Sequence, residues 1–342
     1  MSSTKRPSVY VTRTIPRENI DALKQHCDVE INTDDRALTR AELKEKVKGR
    51  AGVISLVTDT IDGEILDAAG PQCKIVANYA VGFNNFDVAA ATQRNVILTN
   101  TPGVLDDATA THTMALLLSV ARRIAEADKF VRDGKWSGWE PMFFIGVDVD
   151  RKTLGVAGLG RIGKNVARKA KAFDMNVIYT DVQPDAAFEK ELGARFVDKP
   201  TLLAESDFLT LHLPLLPQTR HYIGERELKA MKKSAVLINA SRGPIVDEKA
   251  LVKALREKEI WGAGLDVFED EPRLEPGLTE LDNVIVVPHI ASATMETRIA
   301  MGKIAVNNIV NVLSGRPPET CVNPEVLSAL TASVSNTVER NA

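Results

Sequence analysis

Arg242, Glu271 and His289 are the residues of this 342-residue chain whose types and setting invite chemistry. Each follows an apolar run. Ala235-Val236-Leu237-Ile238-Asn239 leads to Arg242, Gly262-Ala263-Gly264-Leu265-Asp266 leads to Glu271, and Val284-Ile285-Val286-Val287-Pro288 leads to His289. A guanidinium grips a carboxylate with two parallel hydrogen bonds, which fixes orientation as well as charge. An imidazole, with a pKa of about 6.5 in isolation, gives and takes a proton near neutrality, and an adjacent ionised carboxylate raises its protonated fraction. Any one of the three is ordinarily a structural ion pair or a capped strand end. Together they are equipped to hold a small acid and to protonate its carbonyl oxygen.

A second stretch, Thr153-Leu154-Gly155-Val156-Ala157-Gly158-Leu159-Gly160-Arg161-Ile162-Gly163, supplies the setting for a reductant. It reads as an apolar strand running into a glycine turn and then a helix. Gly158, Gly160 and Gly163 spell G-x-G-x-x-G: the first allows a tight turn, the second lets backbone approach a pyrophosphate, and the third lets helix and strand pack closely. The helix carries Ile162, Val166, Ala167, Ala170 and Phe173 at helical spacing, and its first N–H groups are free to bind phosphate. Val177-Ile178-Tyr179-Thr180 then completes a βαβ unit that ends at Asp181. A carboxylate there accepts hydrogen bonds from the adenosine ribose hydroxyls and repels a 2′-phosphate, so NAD(H) is expected in preference to NADP(H). With a nicotinamide cofactor the three residues acquire definite roles in hydride transfer to a 2-oxo acid: Arg242 holds the carboxylate, His289 is the acid/base, and Glu271 sets its pKa.

These residues need a scaffold, and the chain alternates short β-branched runs with helical patterning throughout. Val9-Tyr10-Val11-Thr12, Val29-Glu30-Ile31, Val53-Ile54-Ser55-Leu56, Ile75-Val76-Ala77-Asn78 and Val96-Ile97-Leu98-Thr99 form a first α/β series. After Asp181 the series resumes with Arg195-Phe196-Val197 and Phe208-Leu209-Thr210-Leu211-His212, followed by the three runs already named. Gly82, just past the fourth run, would let a backbone N–H approach a small anionic ligand at a strand's carboxyl end. Thr39-Arg40-Ala41-Glu42 reads as a capping box and Pro16 as a helix start. Ala108 to Arg132 reads as one long helix with the apolar block Met114-Ala115-Leu116-Leu117-Leu118, and the crossover into a second domain is placed just before it. The aromatic stretch from Lys135 to Phe144 contains Trp136 and Trp139; it and the long helix need burial, which predicts a homodimer. Ser292 to Ser314 is a second long helix that returns the chain to the first domain. Thr331 to Ala342 reads as a loose tail.

Composition narrows the partners. A net charge of −3 with 26% charged residues gives no general reason to expect nucleic acid or a membrane surface. Cys27, Cys73 and Cys321 lack metal-ligand spacing and read as free thiols, so no metal is expected. Met1 to Ser8 lacks the apolar core of a signal peptide, and no apolar run approaches membrane-spanning length; a cytoplasmic protein is expected.

Four ordered motifs resemble the D-isomer-specific 2-hydroxyacid dehydrogenase family over nearly the whole chain: the glycine motif, Asn239-Ala240-Ser241-Arg242-Gly243, Gly264 to Pro272, and Pro288-His289-Ile290-Ala291-Ser292. Within it the chain is similar to the glyoxylate/hydroxypyruvate reductases, through Asn78-Tyr79-Ala80-Val81-Gly82-Phe83 and Trp139-Glu140-Pro141 as well. The resemblance implies two doubly wound α/β domains. A Rossmann NAD-binding domain (residues 105–292) is inserted into a discontinuous flavodoxin-like substrate-binding domain (1–104 and 293–330), with 331–342 as the tail. It implies NADH-dependent reduction of small 2-oxo acids, such as glyoxylate to glycolate and hydroxypyruvate to D-glycerate. It gives Arg242, His289 and Glu271 the roles already derived, and turns Leu56, Val81 and Gly82 toward the substrate. It makes Thr109, Leu159, Gly160, Arg161, Ile162, the Asp181 region, Thr219, Ala240 and Asp266 cofactor contacts, with Asp266 holding the carboxamide. Dimerisation through the nucleotide domain is implied, with Trp139 reaching the partner's site.

Two positions depart from the pattern: Thr111 stands before His112 where an acidic residue is common, and Ala291 stands where glycine is frequent. Formate dehydrogenases resemble this scaffold but pair their histidine with glutamine, against Glu271 here. Phosphite dehydrogenases carry a lysine where this chain has Val81. An NAD(H)-sensing binding protein of the corepressor type is the alternative reading, since it retains the same residues; turnover of NADH with glyoxylate separates the two.

Overall fold

The computed structural model describes residues 6–34 and 36–328. The expected tail from Thr331 lies outside the described residues. The chain forms two compact units: one takes residues up to Leu105 and again from Ala293, the other Asp106–Ser292.

The first unit opens with β1 (Ser8–Val11), α1 (Arg17–Lys24), β2 (Asp28–Ile31), α2 (Arg40–Val47), β3 (Gly52–Ser55), α3 (Gly63–Ala69), β4 (Ile75–Asn78), α4 (Val88–Gln93) and β5 (Ile97–Thr99). All pairings are parallel, in the order β2-β1-β3-β4-β5. This is the flavodoxin-like order, with its switch point between the first and third strands. β3, β4 and β5 are buried along their whole length, as a sheet covered on both faces requires. The capping box holds: the Thr39 hydroxyl accepts from Glu42 N while the Glu42 carboxylate accepts from Thr39 N at 2.7 Å. Pro16 sits at the N-cap of α1.

The single helix expected from Ala108 to Arg132 is two, α5 (Asp106–Ala121) and α6 (Ile124–Arg132). They part at Arg123, whose φ of 54° is left-handed. No glycine or proline marks the break. Side-chain interactions accompany it: the Arg123 guanidinium makes two hydrogen bonds to Glu126, at 2.8 and 2.7 Å, and lies 5.0 Å from the Phe144 ring centroid.

The second unit continues with β6 (Thr153–Ala157), α7 (Arg161–Ala170), β7 (Asn176–Thr180), α8 (Ala186–Leu192), β8 (Arg195–Phe196), α9 (Lys199–Glu205), β9 (Phe208–Leu211), α10 (Glu225–Ala230), β10 (Val236–Asn239), α11 (Glu248–Arg256), β11 (Gly262–Leu265) and β12 (Val284–Val286). Its seven parallel strands lie in the order β12-β11-β10-β9-β6-β7-β8. That is the Rossmann order extended by one strand, with the switch point between β6 and β9. The helix ending the glycine unit stops at Ala170, and Lys171–Phe173 tighten into a 3₁₀ turn. Apolar layers cover both faces of the sheet. One of them takes in Ala110, Met114, Leu116, Leu117 and Val120 of α5. Met114, Leu116 and Leu117 of the apolar block are therefore buried inside their own unit and need no partner subunit, contrary to the sequence expectation, while Ala115 is exposed and Leu118 half-buried.

The chain returns to the first unit as α12 (Met295–Leu313), capped by Thr294 and packed on β3, β4 and α1. Among the described residues no helix is long and apolar enough to cross a membrane.

Candidate active site

The glycine loop divides its labour as the sequence implies. Gly158 has a φ of +92°, and a Cβ there would stand 2.7 Å from the His212 carbonyl oxygen; a Cβ on Gly163 would stand 2.2 Å from the Gly158 oxygen. These two glycines serve the fold of the loop itself. Gly160, at the N-cap of α7, has ordinary extended backbone and open space where a Cβ would point. The cradle fits a pyrophosphate, because the first N–H groups of a helix have no intrahelical acceptor. Asp181, at the end of β7, accepts from Leu159 N and Val182 N, both at 2.6 Å. Each bond takes one oxygen, and a carboxylate has about four lone-pair sites, so capacity toward ribose hydroxyls remains.

Five further residues expected at the cofactor have local surroundings of their own here. Arg161 is exposed and its Nε lies 2.9 Å from Asp106. The buried Thr109 offers its carbonyl to the Thr113 hydroxyl at 2.8 Å. The Thr219 hydroxyl donates to Pro214 O at 2.6 Å and accepts from Leu216 N at 2.8 Å, which shapes its own loop. Ile162 packs on the core and Ala240 is buried.

The second unit brings Arg242, Glu271 and His289 together at the carboxyl ends of β10, β11 and β12. Asn239, the last residue of β10, builds the turn that presents Arg242: its amide donates to Arg242 O at 2.9 Å and its oxygen accepts from Ser241 N at 3.1 Å and Ser241 Oγ at 2.8 Å. Arg242 Nη1 donates to Ser241 O at 2.6 Å. Burial lowers the arginine's pKa and the charge of Glu271 opposes that. Glu271 accepts from Phe268 N at 3.0 Å through Oε1, and its Oε2 lies 3.0 Å from His289 Nδ1. Burial by itself pushes the Glu271 pKa up. The hydrogen bond and charge of His289, with help from Phe268 N–H and Arg242, outweigh it and hold the carboxyl below its ordinary value. Glu271 is thus an ionised carboxylate facing one permanent cation and one imidazole, which leaves the other imidazole nitrogen for a substrate.

Asp266, expected to hold a carboxamide, is fully buried and accepts from Ile290 N at 2.6 Å and Ala291 N at 2.9 Å. Its work here is on the turn that carries His289. Ala291 fits where glycine is common because its own φ is not positive. Thr111 is exposed, whereas the neighbouring His112 approaches Asp266.

Leu56, Val81 and Gly82 lie in the first unit, each held by a polar side chain, buried for Asp59 and Asn78 and half-buried for Asn100. Leu56 N donates to Asp59 at 2.8 Å, Val81 O accepts from Asn100 at 2.7 Å, and Gly82 O accepts from Asn78 at 2.8 Å. Around Leu56, beyond β1, β2 and β3, lies a cavity of about 330 Å³ lined also by Arg13, Thr14, Thr33, Asp34 and Thr58. The sequence singled out none of those five, since they carry no motif and meet only through the parallel order of the strands.

Trp139 is 84% exposed and Met142 80%, beside a cluster of Phe130, Phe143 and Phe144 with ring centroids 4.5–5.4 Å apart. α6 buries none of its residues. All three cysteines are free, and burial pushes the Cys27 and Cys73 thiols up to about 11. Among the described residues no group of three or more potential ligands is arranged to hold a metal.

A Rossmann unit with an arginine, a carboxylate and a histidine gathered at its strand ends defines an NAD-binding dehydrogenase, and the chain belongs to the D-isomer-specific 2-hydroxyacid dehydrogenase family. Residues 114–291 match the family described as D-isomer specific 2-hydroxyacid dehydrogenase, NAD binding domain. A glyoxylate reductase of Thermococcus litoralis is 48% identical over 95% of this chain and 99% of its own length. Among solved structures, the TT0316 protein of Thermus thermophilus superposes with a TM-score of 0.86 at 43% identity, covering 92% of this chain and 99% of that one. An NADPH-dependent glyoxylate/hydroxypyruvate reductase from Sinorhizobium meliloti, solved with NADP and malonate, gives 0.81 at 31% identity, covering 93% of this chain and 97% of that one.

The glycine loop yields a paired prediction. Gly163→Ala forces a backbone clash and should lower both the melting temperature and NADH affinity. Gly160→Ala meets open space, so its melting temperature should stay near the parent's while NADH affinity falls at least about tenfold, as for a lost close backbone approach. Thermal melts and fluorescence titration read both; unchanged NADH binding in Gly160→Ala would remove the loop from the cofactor site.

Proposed function

We propose that the chain is an NADH-dependent reductase of small 2-oxo acids, converting glyoxylate to glycolate and hydroxypyruvate to D-glycerate. The observation that carries this reading is the Glu271–His289 pair at 3.0 Å, with Glu271 also facing the charge of Arg242. The full-length likeness to a glyoxylate reductase supports the substrate class. Reduced nicotinamide, when bound, supplies the hydride for the carbonyl carbon. Arg242 binds the substrate carboxylate and stays charged, because arginine keeps its proton even when burial lowers its pKa. His289 passes a proton to the carbonyl oxygen in reduction and takes it back in oxidation, while Glu271 stabilises the imidazolium. The 2-oxo acid gains one hydride and one proton, and the cofactor loses two electrons.

Thr109, the 159–162 loop, Asp181, Thr219 and Ala240 are assigned to the cofactor, and Leu56, Val81, Gly82 and Trp139 to the substrate side, on the family likeness. The first unit is the substrate-binding domain in this reading. The exposed apolar face of α6 and the aromatic loop suits a second copy of the chain.

His289→Ala should lower glyoxylate reduction by about 10²–10⁴-fold while NADH still binds, the usual scale for a lost general acid. Glu271→Gln keeps size and removes charge. The imidazolium beside it then loses a stabilising charge, so the reduction, which needs the protonated ring, should lose activity at a lower pH than in the parent. Steady-state profiles across pH read this, and near-normal turnover in His289→Ala would overturn the mechanism.

Asp181 stands at the adenosine end and Val182-Gln183-Pro184 follow it with no arginine to receive a 2′-phosphate, so kcat/KM should be higher with NADH than with NADPH. Equal values would defeat the preference. For the oligomer, light scattering should give a dimer, and Asp or Arg in place of the exposed Val131 should weaken it; an active monomer at all dilutions would refute that interface.

A further inference from the structure

We propose that Glu248 is a positioning residue for Glu271: from the first turn of α11 its buried carboxylate staples together the two ends of the 269–275 loop that carries Glu271. The inference rests on reading Glu271 as the partner of the proton donor His289.

α11 does not need this side chain for its own start. Its N-cap is Asp247, whose carboxylate accepts from Ala250 N at 3.0 Å. The next residue, Glu248, is 4% exposed and turns both oxygens on another segment: Oε1 accepts from Glu269 N, and Oε2 from Glu275 N at 3.2 Å. Residues 270–274 lie between those two N–H groups, Glu271 among them. A buried carboxylate is costly unless its oxygens are hydrogen-bonded; here burial and the charges of Glu269 and Glu275 push its pKa up while the two N–H groups oppose them. A neutral amide cannot do the same work, since it has one oxygen and would turn its NH₂ against one of the donors.

The start of the loop is held a second time, against the Arg242 turn. Gly243 lies so close that a Cβ there would collide with Phe268 O, so backbone meets backbone. His221 N donates to Pro244 O at 2.8 Å, while its Nε2 lies 2.6 Å from Glu269 Oε1 and Arg220 Nη2 donates to the same oxygen at 2.9 Å. Those contacts fix residues 268 and 269, and the bond from Glu275 N to Glu248 fixes the far end. Between them Glu271 accepts from Phe268 N at 3.0 Å and stands 3.0 Å from His289 Nδ1. The charged groups around the unit are Glu269 and Glu275 toward Glu248, Arg220 and His221 toward Glu269, and His289 and Arg242 toward Glu271. If the far end comes free, Glu271 drifts from the imidazole; a misplacement of about 1 Å at a reacting group costs on the order of 10²-fold in rate.

A double-mutant cycle in glyoxylate reduction tests this, with Glu248→Gln, Glu271→Gln and the pair, and with NADH dissociation constants measured by fluorescence. Glu248→Gln should lower kcat about 10–100-fold, leave NADH affinity within about threefold of the parent, and move the loss of reduction to lower pH, because the imidazolium is then less well supported. In the Glu271→Gln background the same change should cost less than about threefold, since two residues that act as one unit lose their joint effect only once. If Glu248→Gln does not fold, Glu248→Asp, which keeps the charge and draws it back by one methylene, carries the cycle with the same expected outcomes. Equal losses in both backgrounds, an unchanged pH profile, or a loss confined to NADH affinity overturns the proposal. Impaired Glu271→Gln beside normal Glu248→Gln sinks this inference alone, whereas Glu271→Gln with the parent's turnover and profile sinks the reading beneath it.

Discussion

A polar side chain buried at the carboxyl end of a parallel strand is cut off from water, so it must take its hydrogen bonds from nearby backbone. This requirement recurs at four turns that carry candidate site residues. Asn239 brackets the Arg242 turn, Asp266 the His289 turn, Asn78 the Gly82 loop, and Asp59 the Leu56 loop. In each case the buried group is on, or anchored beside, a sheet whose register is fixed by parallel pairing. The loops inherit that rigidity. A conformation such as the left-handed backbone of His289 persists because its neighbours leave it no alternative.

The electrostatics follow from the same closeness. Glu271 is partly desolvated, which disfavours its charge, yet lies against an imidazole and a guanidinium that restore it. Arg242 is desolvated in turn and balanced by Glu271. Charges held this way by fixed neighbours need little rearrangement when a substrate's charge changes, which is the physical basis of preorganised catalysis. The glycine loop contributes the complementary feature: crowding at Gly158 and Gly163 sets its shape, and the one uncrowded glycine, Gly160, faces open space where a phosphate fits.

By itself, the sequence determined the element types, the α/β class, the glycine loop and the identities of Arg242, Glu271 and His289. Alternating β-branched runs carry their own periodicity, and the glycine spacing reports local backbone geometry that no distant residue alters. Only the tertiary structure decided the break at Arg123, the burial of Met114, Leu116 and Leu117 of α5 within their own unit, and the work of Asp266. A left-handed residue without glycine leaves no mark in composition, and an apolar helix face reads the same whether it meets its own sheet or another subunit. Asp266 is 23 residues from His289 in the chain and 154 from His112. Its role arises because parallel pairing of β11 with β12, and the packing of α5 across them, bring those three positions to one end of the sheet, and side-chain spacing along the chain carries no record of that.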